Sequence, residues 1–271
     1  MKSRKLLILY AFLLLLVVAT MYFLRKPQPV VRDLEAIRKE GVLRLITEYN
    51  PIGYYISGDT VEGFQYELSR AISEISGLET EIRLEMSLPA SFEQLDRRET
   101  DIIARNIPVT TELKASYSFT DPVLLNKQVL VQRTSKANNG TTPIRNQLDL
   151  RQKTLHVPAE SPAILRLRNL EQEIGDTIHI VEDPLYASEQ LIIMVARGDI
   201  DYAVCDQQIA LHLLDQFPEI DINTDISFTQ LHSWVVRKES IHLLDSLNSW
   251  FNQIKESGTY NHIYSRYYNR N

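Results

Sequence analysis

Cysteine is nearly missing from this chain. Cys205 is the only one in 271 residues, so no intrachain disulfide joins any part of the fold. That scarcity leaves the compartment open, because an oxidising space does not oblige a large domain to use disulfides. A basic excess is missing too. The formal net charge is −6, and residues 1–26 hold five of the 29 cations and no acid. The remaining residues therefore carry 24 cations against 35 acids, a net of −11. An acidic body excludes nucleic acid as the expected partner, since phosphates need a basic face. Catalytic signatures are also lacking. There is no G-x-S-x-G elbow, no phosphate-binding Walker loop and no dinucleotide fingerprint. The six histidines, at 156, 179, 212, 232, 242 and 262, show no metal-ligand spacing. No catalytic residue, metal or cofactor is therefore expected. Cys205 sits in an apolar run and reads as a buried, inert thiol.

One long apolar run is present. From Leu6 to Leu24 the sequence LLILYAFLLLLVVATMYFL has no charge, proline or glycine, and its 19 residues match the roughly 20 that span a bilayer as a helix. Lys2, Arg4 and Lys5 precede it, and Arg25 and Lys26 follow. The denser cations at the N-terminus place that end in the cytoplasm and the body outside. A cleaved signal peptide is the alternative, but the apolar run continues through Met21 to Leu24, past the small residues Val17 and Ala19. Residues 1–26 are thus expected to be an uncleaved membrane anchor, and 27–32, PQPVVR, a proline-containing linker.

Beyond the linker, hydrophobic periodicity alternates between the two regular elements. Asp33 is placed to cap a helix that stops at Gly41, and strands are expected at 42–47, 79–84 and 101–104. Helices are expected at 65–76 and from Ser91, and 48–58 reads as a loop holding Tyr54 and Tyr55. The apolar stretch 123–132 reads as one long strand passing to a second lobe. There the pattern repeats, with strands at 154–157, 178–181 and 201–205 and helices at 163–173, 188–197 and 207–217. A strand at 234–237 returns to the first lobe, and helices at 243–256 and 259–267 close it. The expectation is α/β, with lobe 1 at 33–126 plus 233–271, lobe 2 at 127–232, and a ligand cleft between them. Arg105 and Asn106 follow the strand 101–104 and so fall where open α/β sheets bind ligands.

These stretches resemble a known family. Gly63-Phe64-Gln65-Tyr66-Glu67-Leu68, then Asp101-Ile102-Ile103-Ala104, Thr110-Thr111-Glu112 and Phe119-Thr120-Asp121-Pro122, resemble the signatures of the family 3 solute-binding proteins. Gly198 to Asp206 and Trp234 to Lys238 complete the likeness, which runs in order from about Leu34 to Tyr268. Within it, the YY…GF-x-YEL run, the IDYAV-x-D stretch before HLLDQFPEI and the anchor are similar to the N-terminal sensor domain of the lytic murein transglycosylase F family. The resemblance implies a two-lobe periplasmic-binding-protein type II fold preceded by one transmembrane helix, and a body in the periplasm of the bacterial inner membrane. It also implies a small-molecule or peptide ligand, amino acid-like or muropeptide-like. The chain stops where that family's catalytic domain would begin, so binding is expected and transglycosylase activity is not. Delivery to an ABC permease and regulation of a murein hydrolase are the two expected uses. A third reading, a peptidoglycan-acting enzyme, has no motif in its support.

The resemblance also marks a departure. Where amino-acid binders of the family place an arginine after the T-x-E turn, this chain has Leu113, and Pro108 replaces a small hydroxyl residue. Arg105 then has two readings: an anion contact from a new direction, or the partner of an acid in the cleft wall. Asp206 matches the family position for an α-ammonium group, with helix capping as the alternative. Tyr54 and Tyr55 are candidates for stacking, one expected in the cleft and one in the core. Asn106, Thr110 and Ser161 complete the expected ligand-binding set. Ser161 enters with Glu160 at a helix start, where Glu160 itself would repel an anion.

Overall fold

A computed structural model describes Leu15 and residues 32–268. The expected anchor at 6–24 lies, but for Leu15, outside the described residues, as does most of the linker. Among the described residues no helix is long and apolar enough to cross a membrane.

Asp33 opens the fold. Its carboxylate accepts from the Leu34 amide at 2.8 Å and caps α1 (Leu34–Glu40), which ends at Gly41 in the left-handed conformation. β1 (Val42–Thr47) follows, then a hairpin whose β2 (Tyr55–Ser57) falls in the stretch 48–58 expected to be loop and whose β3 (Thr60–Glu62) comes just after it. α2 (Phe64–Ser76) starts against this hairpin. A Cβ on Gly63 would meet the Gly53 carbonyl oxygen at 2.3 Å, so only glycine permits that approach, which lets Phe64 and Gln65 donate to the Ile52 and Gly53 carbonyls. β4 (Glu79–Leu84) leads to α3 (Leu88–Asp96). The cap of α3 is Ser87 rather than the expected Ser91, since Pro89 fits its first turn. β5 (Ile102–Pro108) ends four residues later than expected, so that Arg105 and Asn106 lie inside it rather than after it. It is followed by α4 (Thr111–Ser116), β6 (Tyr117–Phe119) and β7 (Leu124–Asn126).

The expected strand 123–132 is two strands. β7 ends at Asn126, and β8 (Gln128–Arg133) belongs to a different sheet. Lobe 2 continues with β9 (Thr154–Pro158), α5 (Ala163–Ile174), β10 (His179–Asp183), α6 (Ser188–Arg197), β11 (Ala203–Asp206), α7 (Gln207–Leu213) and β12 (Ile220–Asp225). β12 was not legible as a strand in the sequence. β13 (Gln230–Arg237) returns to lobe 1, and α8 (Ile241–Glu256) and α9 (Thr259–Tyr268) close it.

The first sheet has the order β4-β1-β5-β13-β6, with β7 also on β13, and the second β10-β9-β11-β8-β12. β1, β4 and β5 are parallel, as are β9, β10 and β11. Each sheet buries both faces. Leu43, Leu45, Ile102 and Ala104 pack under α2, α8 and α9, while Ile46, Ile103 and Ile107 pack with Leu95 on the other side. In lobe 2, Val129, Val131 and Cys205 meet α6 and α7, whereas Leu130 and Val204 meet α5. This explains the near-continuous apolar runs of the strands. The chain crosses between sheets at Lys127 and again at 226–229. The boundary expected at 232/233 falls inside β13, where Gln230, Leu231 and His232 already pair with β7. Both crossings lie side by side: Lys127 reaches Asp225 at 2.8 Å, and the Gln128 amide donates to Ser227 Oγ at 2.9 Å.

Candidate functional site

A cavity of about 580 Å³ opens between the two sheets. Its walls are the segments that leave β1 and β4 and the carboxyl-terminal part of β5 in one lobe, and the carboxyl ends of β9, β10 and β11 with the segments after β9 and β10 in the other. Parallel strands bring all six ends to the same edge, so residues far apart in sequence converge there.

Arg105 and Asn106 do line this cavity. Arg105 forms an ion pair with Glu48, which extends from the end of β1. Its Nη1 also reaches the Glu85 and Met86 carbonyl oxygens and Ser91 Oγ, each at 3.4 Å. Of the two readings of Arg105, the acid pair in the wall is the one observed. Asn106 accepts from Gln65 Nε2 at 2.7 Å and faces the Tyr268 hydroxyl at 3.5 Å. Gln65 in turn accepts from Trp234 Nε1 at 2.6 Å. The Asn106 amide is therefore oriented by a buried polar chain that runs through α2 to β13.

From lobe 2, Asp206 lines the cavity and accepts from Gln128 Nε2. It makes no side-chain cap bond to α7, so capping does not account for it. Burial pushes its carboxyl up to about 7, helped by the Glu48 charge. The Gln128 hydrogen bond, the Asn126 amide and the Arg105 charge oppose that rise. Ser161 is in the wall and accepts from the Ala163 amide at 3.2 Å. Beside it, Glu160 takes the left-handed φ of 62° and accepts from Ser87 Oγ across the cleft at 2.7 Å.

Three expected residues lie elsewhere. Tyr54 stands edge-on to Tyr66, with ring centroids 5.8 Å apart, on a shallow outer groove of lobe 1. Tyr55 packs against the lobe 1 core and its hydroxyl donates to Glu62 at 3.1 Å. One of these rings was expected in the cleft and one in the core; Tyr55 packs against the core, and neither lines the cavity. Thr110 is outside the cavity lining, and its hydroxyl caps α4 by accepting from the Leu113 amide at 3.3 Å. Leu113 itself packs against the Leu95 and Ile103 cluster.

The cavity also holds residues the sequence reading passed over: Glu48, Tyr49, Gln128, Leu185 and His232. Glu48 had a usable signal, because it directly follows the strand 42–47, whereas Arg105 and Asn106, expected just past the end of theirs, lie inside β5. His232 is 2% exposed and neither ring nitrogen makes a hydrogen bond of ordinary geometry. Burial lowers its pKa to about 4, opposed less strongly by the Asn106 backbone, so the imidazole is neutral. Cys205 touches the cavity, but burial raises its thiol far above the reactive range. Among the described residues no three His, Cys, Asp or Glu side chains are grouped to hold a metal ion.

Two α/β lobes with paired crossings and a cavity at their strand ends define a two-lobe solute-binding fold. Residues 43–270 match the model of the bacterial extracellular solute-binding proteins, family 3, and the chain belongs to that family. It is 32% identical over 238 residues to membrane-bound lytic murein transglycosylase F of Desulfosudis oleivorans, covering 88% of this chain and 51% of that protein. The protein of the same name from Cronobacter sakazakii is 28% identical over 235 residues, covering 86% and 44%. The chain thus spans about half the length of these relatives. Among solved structures, a mutant of ArgBP from T. maritima superposes with a TM-score of 0.74 at 22% identity, covering 87% of this chain and 99% of that one. The arginine-, lysine-, histidine-binding protein ArtJ from Geobacillus stearothermophilus gives 0.72 at 22%, covering 84% and 95%. These likenesses establish the fold.

Proposed function

We propose that this protein is a membrane-anchored, extracytoplasmic solute-binding module that closes its two lobes on an amino acid-like or muropeptide-like ligand. The observation that carries the reading is the cavity lined by strand ends of both lobes, with Arg105, Asn106, Ser161 and Asp206 on its walls. Closure is a rotation at the two adjacent crossings, Lys127 and 226–229, and a ligand that touches both lobes favours the closed state. The run from Leu6 to Leu24 and its flanking cations support a single-pass anchor in the inner membrane with the body in the periplasm. The arginine-, lysine- and histidine-binding structures support an amino acid-like ligand, and the transglycosylase F relatives support one derived from the cell wall.

Binding without catalysis is the reading for both uses, delivery to an ABC permease and sensing on behalf of a murein hydrolase. The relatives' names favour the second. A thermal-shift screen of the full chain in detergent against free amino acids and purified muropeptides tests the function. A ligand that binds only the folded state raises Tm by mass action. No shift from either class, at any concentration up to the millimolar range, overturns it. Release of anhydro-muropeptides from peptidoglycan by the purified chain overturns the non-enzymatic reading.

A further inference from the structure

The charges around the cavity are one-sided. Six carboxylates, those of Glu48, Glu85, Glu160, Asp183, Glu189 and Asp206, line it, against the single guanidinium of Arg105. That guanidinium is engaged already. Glu48 takes its Nη2, the Glu85 and Met86 carbonyls and Ser91 Oγ of the same lobe take its Nη1, and the side chain is 10% exposed. Leu113, at the position where the family's amino-acid binders carry their carboxylate-holding arginine, is half-buried against the Leu95 and Ile103 cluster and outside the cavity lining. A free carboxylate entering this cleft meets acids and no available cation, at a cost that low local dielectric enlarges.

We propose that the cleft selects a ligand presenting a protonated amine and no free carboxylate at the cavity floor, the amine held between Glu48 of lobe 1 and Asp206 of lobe 2. The proposal rests on the solute-binding reading above and names its ligand class: an organic amine, or a peptide-like compound whose nearest carboxyl group is amide-linked. Glu48 and Asp206 extend from strand ends in opposite sheets, so a cation between them ties the lobes together. The two carboxylates already sense one another, since the Glu48 charge raises Asp206, and a cation relieves that repulsion.

His232 supplies an independent indication. It lines the cavity on the crossing strand β13, is 2% exposed, and beyond the Asn106 backbone its ring nitrogens have no hydrogen-bond partner. Buried polar groups of this kind are normally paired. A neutral imidazole offers one donor and one acceptor, which suits an amide and provides no charge for a carboxylate. The cavity volume falls within the range of drug-sized ligands, leaving room for a body to lie along exposed Leu185 and Tyr186.

The test is calorimetric titration of the full chain in detergent with L-lysine, L-lysinamide and cadaverine. L-lysinamide and cadaverine are expected to bind at least tenfold tighter than L-lysine. Glu48→Gln is expected to weaken both by tenfold or more and, by releasing the Arg105 guanidinium, to strengthen L-lysine. Such a gain cannot come from misfolding. Asp206→Asn gives the same loss without the gain, with folding of each variant checked by its circular dichroism melt. L-lysine binding as tightly as its amide overturns the proposal and leaves the solute-binding reading intact. Silence of all three probes, while the amino acid and muropeptide screen yields a ligand, also overturns the proposal alone. Silence in both experiments removes both readings.

Discussion

Ser87 Oγ donates to Glu160 Oε2 at 2.7 Å, joining the cap of α3 in lobe 1 to the turn after β9 in lobe 2. It spans the cleft between partners 73 positions apart in the chain. Glu160 holds this position at φ 62°, a conformation that costs a side-chain-bearing residue about 1 kcal/mol. Glu160→Gly removes both the bond and the strain. The expected outcome is an unchanged or higher Tm together with a wider distribution of interlobe distances, read by spin labels on the two lobes. Glu160→Ala keeps the strain and lowers Tm. An unaltered distance distribution in both variants shows that the bond does not hold the lobes.

Asp101 is fully buried and accepts from Arg32 Nε at 2.7 Å, from the Arg44 amide at 3.1 Å and from Arg237 Nη2 at 3.3 Å. Arg237 is itself 2% exposed. Asp101→Ala leaves that guanidinium buried without its counter-charge, and a loss of about 3–5 kcal/mol is expected in urea unfolding. A loss below 1 kcal/mol means that the Leu95, Thr100 and Arg32 carbonyls, which also accept from Arg237, suffice.

Gln65 links Trp234 Nε1 to Asn106 Oδ1, at 2.6 and 2.7 Å. Gln65→Leu fills the same space and orphans both atoms, at an expected cost of about 1–3 kcal/mol. Because it also frees the Asn106 amide at the cleft, ligand affinity is expected to fall by more than the stability loss explains. Denaturant melts followed by Trp fluorescence, paired with the ligand titration, check both.

Two buried groups give opposing pH dependence. Asp206 is raised to about 7, so between pH 4 and 7 the folded state holds a proton that the unfolded state releases, and stability falls as pH rises through that window. His232 is lowered to about 4, so between pH 4 and 6.5 the unfolded state holds the extra proton and stability rises with pH. The titratable groups facing Asp206 are Glu48, Arg105, Cys205 and Tyr268. Asp206→Asn removes the first dependence and leaves the second. Its Tm relative to the wild type is expected to be higher at pH 8 than at pH 5. An equal Tm difference at both values means that Asp206 titrates normally.

Local periodicity was enough to read most helices and the parallel strands, because strands buried on both faces stay apolar along their length and helix stops carry glycine. It misread 123–132 as one strand. The break at Lys127 is set by which sheet each half joins, and no residue in that run announces a change of partner. The hairpin at 55–62 was invisible for a similar reason: its fixing contact is the close approach of Gly63 to Gly53, a tertiary event.

By itself, the sequence determined the two-lobe α/β order and the strand-end position of Asp206, since alternating elements force crossovers and bring parallel strand ends to one edge; Arg105 and Asn106, expected just past their strand, lie inside β5. Only the tertiary structure decided what those residues face. It set Tyr54 on an outer groove and Tyr55 against the lobe 1 core, laid the half-buried Leu113 against the Leu95 and Ile103 cluster, and brought Glu48 onto Arg105 from 57 residues away. Charge pairing across that distance depends on which strands become neighbours, here β1 beside β5. That pairing leaves the cleft acidic at its floor.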